Sequence, residues 1–234
     1  MKLERPYEIC HMITSLNGKT SGTFLEANEF ETYMDEYERI HDEYNVNAWL
    51  VGRISMAQHY GRHEPIDLLN QLSAVNNRDD FVANYDGNGF AIAIDSAGKL
   101  FWDSSSIEYK STKGYQKHHI IQIITKTVFD AYLSYLQDLG IAYLFGGDES
   151  IDLDTVLKKL KLHFNIHRLL LEGGAKINGS FYKEVLINEI SLLTALSLTK
   201  AITRQHLSLL ITHLLQPFIS NRRKASARFR MVNV

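Results

Sequence analysis

Hydrophobic positions recur along the chain in two periods. Short apolar runs of four to seven residues read as strands: Tyr7–Ile13, Ala48–Val51, Phe90–Asp95, Ile120–Ile124, Ile141–Phe145, Arg168–Leu171 and Glu189–Leu193. Helical spacing appears between them. Glu29–Tyr44 puts Phe30, Tyr33, Tyr37 and Ile40 on one face, and Leu153–Phe164 does the same with Leu153, Val156, Leu157 and Leu160. Ser55–Tyr60 predicts a short helix capped by Ser55, Phe129–Leu139 a helix stopped by Gly140, and Phe181–Leu186 another helical turn or two. Residues 61–88 are loop-rich and assign to no element, and Ala97-Gly98 marks a turn.

Alternation of buried strands with amphipathic helices predicts an α/β fold: a mostly parallel central sheet covered by helices on both faces. In such sheets ligands bind beyond the carboxyl ends of the strands. Four polar or glycine-rich segments follow strands: Thr14–Lys19, Gly52–Ser55, Gly146–Asp148 and Glu172–Asn178. They are expected to share one edge. No internal repeat and no linker is visible, so residues 1–234 read as a single domain.

The segment Arg168 to Ser180 is the most informative of these. Its apolar run ends in Glu172, then Gly173-Gly174, then a polar stretch able to start a helix. A strand opening through glycines into a helix N-terminus offers backbone N–H groups and the positive end of the helix dipole to a phosphate. A tight strand-to-helix turn has the same local sequence, so the segment alone leaves both readings open.

Composition narrows the class. Of the 234 residues 45% are hydrophobic and 22% charged, with only three prolines, which suits a folded chain with a sizeable core. No apolar run is long enough for a membrane span, and Met1–Arg5 lacks a signal peptide's apolar region, so a soluble cytoplasmic protein is expected. A single cysteine, Cys10, excludes an internal disulfide and a cysteine-based zinc cluster, and reads as a core residue. His163 and His167 have i, i+4 spacing without a third ligand, so no metal is expected; His118-His119 read as surface or loop histidines. Trp102, Tyr109 and Tyr115 lie in a polar, serine-rich stretch (Ser104-Ser105-Ser106) that reads as a loop, mobile or folded over a substrate. Net charge is −2, but residues 190–234 carry seven Lys and Arg and no acid, leaving −9 on the rest. A basic end can bind nucleic acid, although nucleic acid is not the expected partner.

Read in order, Ser15-Leu16-Asn17-Gly18, Gly52-Arg53-Ile54-Ser55, Glu172-Gly173-Gly174-Ala175-Lys176-Ile177-Asn178-Gly179 and Asn188-Glu189 resemble the reductase domain of bacterial riboflavin biosynthesis, over roughly residues 5–194. The resemblance implies a dihydrofolate-reductase-like fold, a homodimer, and NADPH-dependent hydride transfer to a small pyrimidine or pterin-like metabolite, of the 5-amino-6-(5-phosphoribosylamino)uracil reductase type. It implies that Gly173, Gly174, Ala175, Lys176, Ile177 and Asn178 line NADPH, with Gly52, Arg53 and Ser55 on its adenosine and phosphate side. Gly146 and Gly147 would border the dinucleotide and Thr14 the nicotinamide. Glu172 would face substrate, with Ser15 and Asn17 as the other candidate catalytic positions. Asn17 stands where the family has Asp, which keeps a second reading open: a catalytically inactive nucleotide-binding protein of the same fold. From about Ala195 the chain departs from the family's closing antiparallel strand pair. Ser208–Leu215 is apolar without alternation and Asn221–Arg230 is basic, as expected of an out-of-register ending or of a terminal helix with a basic arm.

Overall fold

The computed structural model of the chain describes residues 4–16, 18–20, 30–62, 77–112, 114–195 and, by their backbone, 226–232. Among these residues nine strands form one sheet: β1 (Tyr7–Ser15), β2 (Ala48–Gly52), β3 (Gly89–Ile94), β4 (Ser106–Ser111), β5 (Gly114–Thr125), β6 (Ala142–Gly147), β7 (Arg168–Leu171), β8 (Glu189–Ala195) and β9 (Ser226–Val232). The helices are α1 (Phe30–Glu43), α2 (Arg53–His59), α3 (Asp130–Asp138), α4 (Leu153–Phe164) and α5 (Ala175–Lys183). Strand order is β4-β5-β3-β2-β7-β1-β8-β9, with β6 pairing the far half of β5. Every pairing is parallel except β4 with β5.

Strand pleating divides the core in two. Ile9, Trp49, Val51 and Leu170 face α1, α2 and α3, where Ile40, Met56, Leu133 and Leu136 meet them. Cys10, Leu50, Leu169 and Leu171 face α4 and α5, against Leu157, Leu160 and Phe181. Strands covered on both sides show no polar alternation, and all five residues of β2 are buried. Each fully buried aliphatic side chain contributes about 1.5–3 kcal/mol, so the middle of the sheet is its rigid part.

The predicted strands and the two-sided helical cover are all present; the differences are local. α2 begins at Arg53 with Gly52 as its N-cap, because β2 runs straight into the helix; Ser55 lies in the first turn and caps nothing. α5 begins at Ala175, directly after the glycines, rather than at Phe181. Only the start of the serine-rich stretch is loop: from Ser106 it forms β4, antiparallel to an extension of β5 that reaches back to Gly114. Its polar composition suits the edge position. His118 and His119 are buried, 3% and 2% exposed, not on the surface. Residues 226–232 form an edge strand parallel to β8, neither a helix nor a free arm, whereas the apolar run Ser208–Leu215 lies outside the described residues.

Candidate functional site

β2 and β7 are neighbours in the middle of the sheet, Trp49 and Leu50 opposite Leu170 and Leu171, so the glycines that follow them meet. The Glu172 N–H donates to the Leu50 carbonyl at 2.9 Å and carries the pairing one residue past β7. A Cβ on Gly52 would fall 2.8 Å from Ile177 Cγ1, and one on Gly173 would fall 3.2 Å from the Gly52 nitrogen. Both positions need glycine because two backbones and Ile177 pack there. Gly174 differs. It is exposed, and the nearest atom to a Cβ there is Ser55 Oγ, at 4.0 Å.

Two helices therefore start side by side over an open surface. α2 follows Gly52 and α5 follows Gly174, and neither N-cap has a side chain that bonds the first N–H groups. α2 spans under two turns, so most of the dipole comes from α5. Arg53, Ala175 and Lys176 lie on this surface, all exposed. Arg53 Nε is 4.0 Å from Asp95 Oδ1, a buried atom with no hydrogen bond, while Asp95 Oδ2 accepts the Lys99 and Leu100 N–H groups and Gln122 Nε2. Asn178 Oδ1, in the first turn of α5, is also buried without a hydrogen bond. Bare helix starts, a hydroxyl and two exposed cations form a cradle whose chemistry suits a pyrophosphate carrying a further phosphate.

Glu172 does not face this cradle. The pleat turns it to the face of Leu170, toward α1, and its side chain is only 8% exposed. Its Oε1 accepts a hydrogen bond from His41 Nδ1 at 2.7 Å. Burial works against both charges. The His41 cation and hydrogen bond, with His11 and Tyr37, nevertheless hold Glu172 below the usual carboxylate range. Glu172, Glu38 and Asp42 together carry His41 above its ordinary value. Glu172 thus interacts with His41 and does not cap α5.

The surroundings separate one charged imidazole from two neutral ones. His11 Nε2 donates to the Tyr37 carbonyl at 3.2 Å, and its Nδ1 takes the Ser191 hydroxyl at 3.1 Å; burial pushes it down. Trp49 Nε1 donates to His118 Nδ1 at 2.8 Å, so that nitrogen carries no proton, and burial with the nearby His41 lowers His118 to about 4. The carboxylates split as well: burial raises Glu38, which accepts from the Tyr109 hydroxyl, to about 6. Neighbouring acids pushed apart in this way mark a site able to move protons. A recess of about 50 Å³, lined by His41, Asp42, Tyr109, Gln116 and His118 among others, opens beside the pair.

Other expected site residues lie apart. Ser15 closes its own turn, its Oγ accepting the Lys19 N–H at 3.1 Å, and it stands about 13 Å along β1 from the level of Glu172. Thr14 is buried beside it, and Asn17 lies outside the described residues. Gly146 and Gly147 end β6, three strand spacings or about 14 Å from β2. A Cβ on Gly147 would collide with the Ser150 carbonyl and one on Gly146 would lie 2.8 Å from Ile151 Cδ1, which is the chemistry of a tight turn. Sequence reading missed His41, His11 and Glu38, placed His118 on the surface, and put Tyr109 in a loop. The only available signal was that His41 falls one position after Ile40 on the apolar stripe of α1, and that is too weak to distinguish it from a solvated residue.

Comparison with known proteins agrees with the resemblance. Residues 106–196, which include β7, the diglycine and α5, match the family model of the RibD C-terminal domain. The fold is shared with the riboflavin biosynthesis reductase Rib7 of Saccharomyces cerevisiae, at 16% identity and a TM-score of 0.52 over 85% of this chain and 76% of that one. It is shared too with Acinetobacter baumannii RibD, at 20% identity and a TM-score of 0.52 over 85% of this chain. The match spans about half of that RibD chain, 48% of its length. No curated protein matches the chain in sequence. No helix among the described residues is long and apolar enough to cross a membrane.

Proposed function

We propose that the chain is an NADPH-dependent reductase of the riboflavin pathway, acting on 5-amino-6-(5-phosphoribosylamino)uracil or a closely related heterocyclic metabolite. The observation that carries this reading is the meeting of Gly52-Arg53 with Glu172-Gly173-Gly174, which sets two uncapped helix starts beside a buried, ionised acid. The first N–H groups of α5 and the Ser55 hydroxyl would hold the pyrophosphate. Arg53 and Lys176 would meet the 2′-phosphate, Arg53 through its planar fork. Bound there, NADPH supplies a hydride. The protein contributes fixed distances, exclusion of water and a proton, and the rigid centre of the sheet supplies the first of these. Glu172, on the α1 side, would face the substrate.

Titration of the ligand-free chain with NADPH and NADH, followed by tryptophan emission and melting temperature, tests the cofactor. A hundredfold excess of NADPH over its dissociation constant should stabilise the fold by about 2.7 kcal/mol. Arg53→Ala should weaken NADPH about tenfold and NADH much less. If neither dinucleotide moves either signal, the reading is wrong. Binding with no loss of nicotinamide absorbance across pyrimidine and pterin substrates would favour an inactive nucleotide-binding protein.

A further inference from the structure

The pair His41–Glu172 and the recess beside it form one connected arrangement. His41 bonds Glu172 through Nδ1 and also lines the recess, so one residue borders both the acid and this space. About 50 Å³ holds one or two waters and is too small for a metabolite. We propose that His41 is a positioning and proton-relay residue for Glu172, fixing its carboxylate on the α1 face and resupplying it with protons from water in this recess. The inference rests on the reductase reading only for the identity of the acceptor.

Reduction of a C=N or C=O bond puts a hydride on carbon and a proton on nitrogen or oxygen. In the relay, the His41 imidazolium gives its Nδ1 proton to Glu172, and Glu172 passes a proton to the heteroatom. The neutral ring then turns about its Cβ–Cγ bond, presents the bare Nδ1 to the recess and takes one proton from solvent through the water there, while Nε2–H comes to face Glu172, so each turnover consumes one proton from solvent. Two observations favour His41 for this role. It is the imidazole bonded to the acid, whereas Trp49 fixes His118 and the Tyr37 carbonyl fixes His11. The groups facing the pair from the packed elements are Glu38, Asp42 and Tyr37 of α1, His11 of β1, Tyr109 of β4, His118 of β5 and Tyr60 after α2. The carboxylates among them favour the imidazolium.

The test has one arm without cofactor. In the ligand-free protein the His41 ring proton, followed by NMR, should titrate above the ordinary histidine range and fall by a unit or more in Glu172→Gln. In the second arm, His41→Gln and His41→Asn should bind NADPH as the parent chain does, with KM little changed and kcat reduced about 100-fold near neutrality. The parent's loss of rate as pH rises through the His41 pKa should vanish in both variants. A purely structural His41 predicts an equal loss at every pH, and that result, or an unchanged His41 titration in Glu172→Gln, overturns the relay while NADPH binding stands. Failure of the parent chain to bind NADPH counts instead against the reductase reading, and the NMR arm still decides the pairing.

Discussion

Buried charge is the clearest property at the scale of single residues, and two acids show opposite solutions. Glu172 is buried with a partner and stays ionised. Glu8 is fully buried on the α4 side of β1 with neither carboxylate oxygen hydrogen-bonded, and burial raises it to about 8 against the attraction of Arg5. The folded chain therefore holds the Glu8 proton more tightly than the unfolded chain does. The associated stability is fully present below about pH 4.5 and is lost as pH rises through 8. Glu8→Gln keeps the shape and removes the ionisation. It should stabilise the protein by about 3 kcal/mol in urea unfolding at pH 8 and do almost nothing at pH 4. Equal effects at both pH values would mean that Glu8 does not titrate on folding. His41 and Glu172 behave differently. His41, raised, contributes below its unfolded value of 6.5 and loses that contribution as pH climbs through its folded value. Glu172, lowered, contributes above 4.5 and loses its contribution as pH falls. Their window is centred on mildly acidic pH, so Glu8 and the pair together make alkaline conditions the less stable side.

At the scale of elements, the cradle depends on how closely β2 and α5 approach. The fit of Gly52 against Ile177 predicts a specific coupling. Gly52→Ala pushes a methyl to 2.8 Å from Ile177 Cγ1 and should cost about 1–3 kcal/mol. Ile177→Ala removes the obstacle, so the double variant should be less destabilised than the two single losses added together, by about 1 kcal/mol in a denaturation cycle. Simple additivity would show that the clash is relieved elsewhere. This contact also separates what the sequence made legible from what it did not. Apolar runs such as Phe90–Ile94 and Arg168–Leu171 announce strands because both faces are buried, and the glycines after β2 and β7 announce the convergence because nothing larger fits. Polar edge pairing leaves no such trace, so β4 and the first half of β5 read as loop. Nor does the sequence reveal which way Glu172 points. That depends on the pleat phase of a four-residue strand and on His41, 131 positions away along the chain. Helix starts were legible to within a turn for α1, α2, α3 and α4 and misplaced for α5, where glycine alone ends the strand and begins the helix.

At the scale of the molecule, strand order decides where chemistry can occur. β2, β7 and β1 occupy the middle, so the loops carrying the cradle stand on the best-buried strands, while β4, β6 and β9 lie at or near the margins. The far margin is the unusual one. β9 pairs with β8 in parallel over seven positions, from Glu189 opposite Ser226 to Ala195 opposite Val232. A parallel return needs a crossover of a dozen or more residues, and about 30 separate the two strands. The sequence of β9 carries Arg228 and Arg230, and charge on an edge strand opposes edge-to-edge pairing. Removing residues 226–234 would leave β8 as the edge, its outward N–H and C=O groups unpaired and its sequence (Glu189–Ala195) holding a single charge. The shortened chain should melt several degrees lower and self-associate as concentration rises, visible in light scattering. NADPH binding at the central cradle, two to three strands from that edge, should persist in the monomeric fraction. If the shortened chain stays monomeric and melts as before, β9 contributes nothing to the sheet. If it also loses NADPH binding, the edge and the centre of the sheet unfold as one unit, and the cradle depends on the whole molecule rather than on the β2–β7 contact alone.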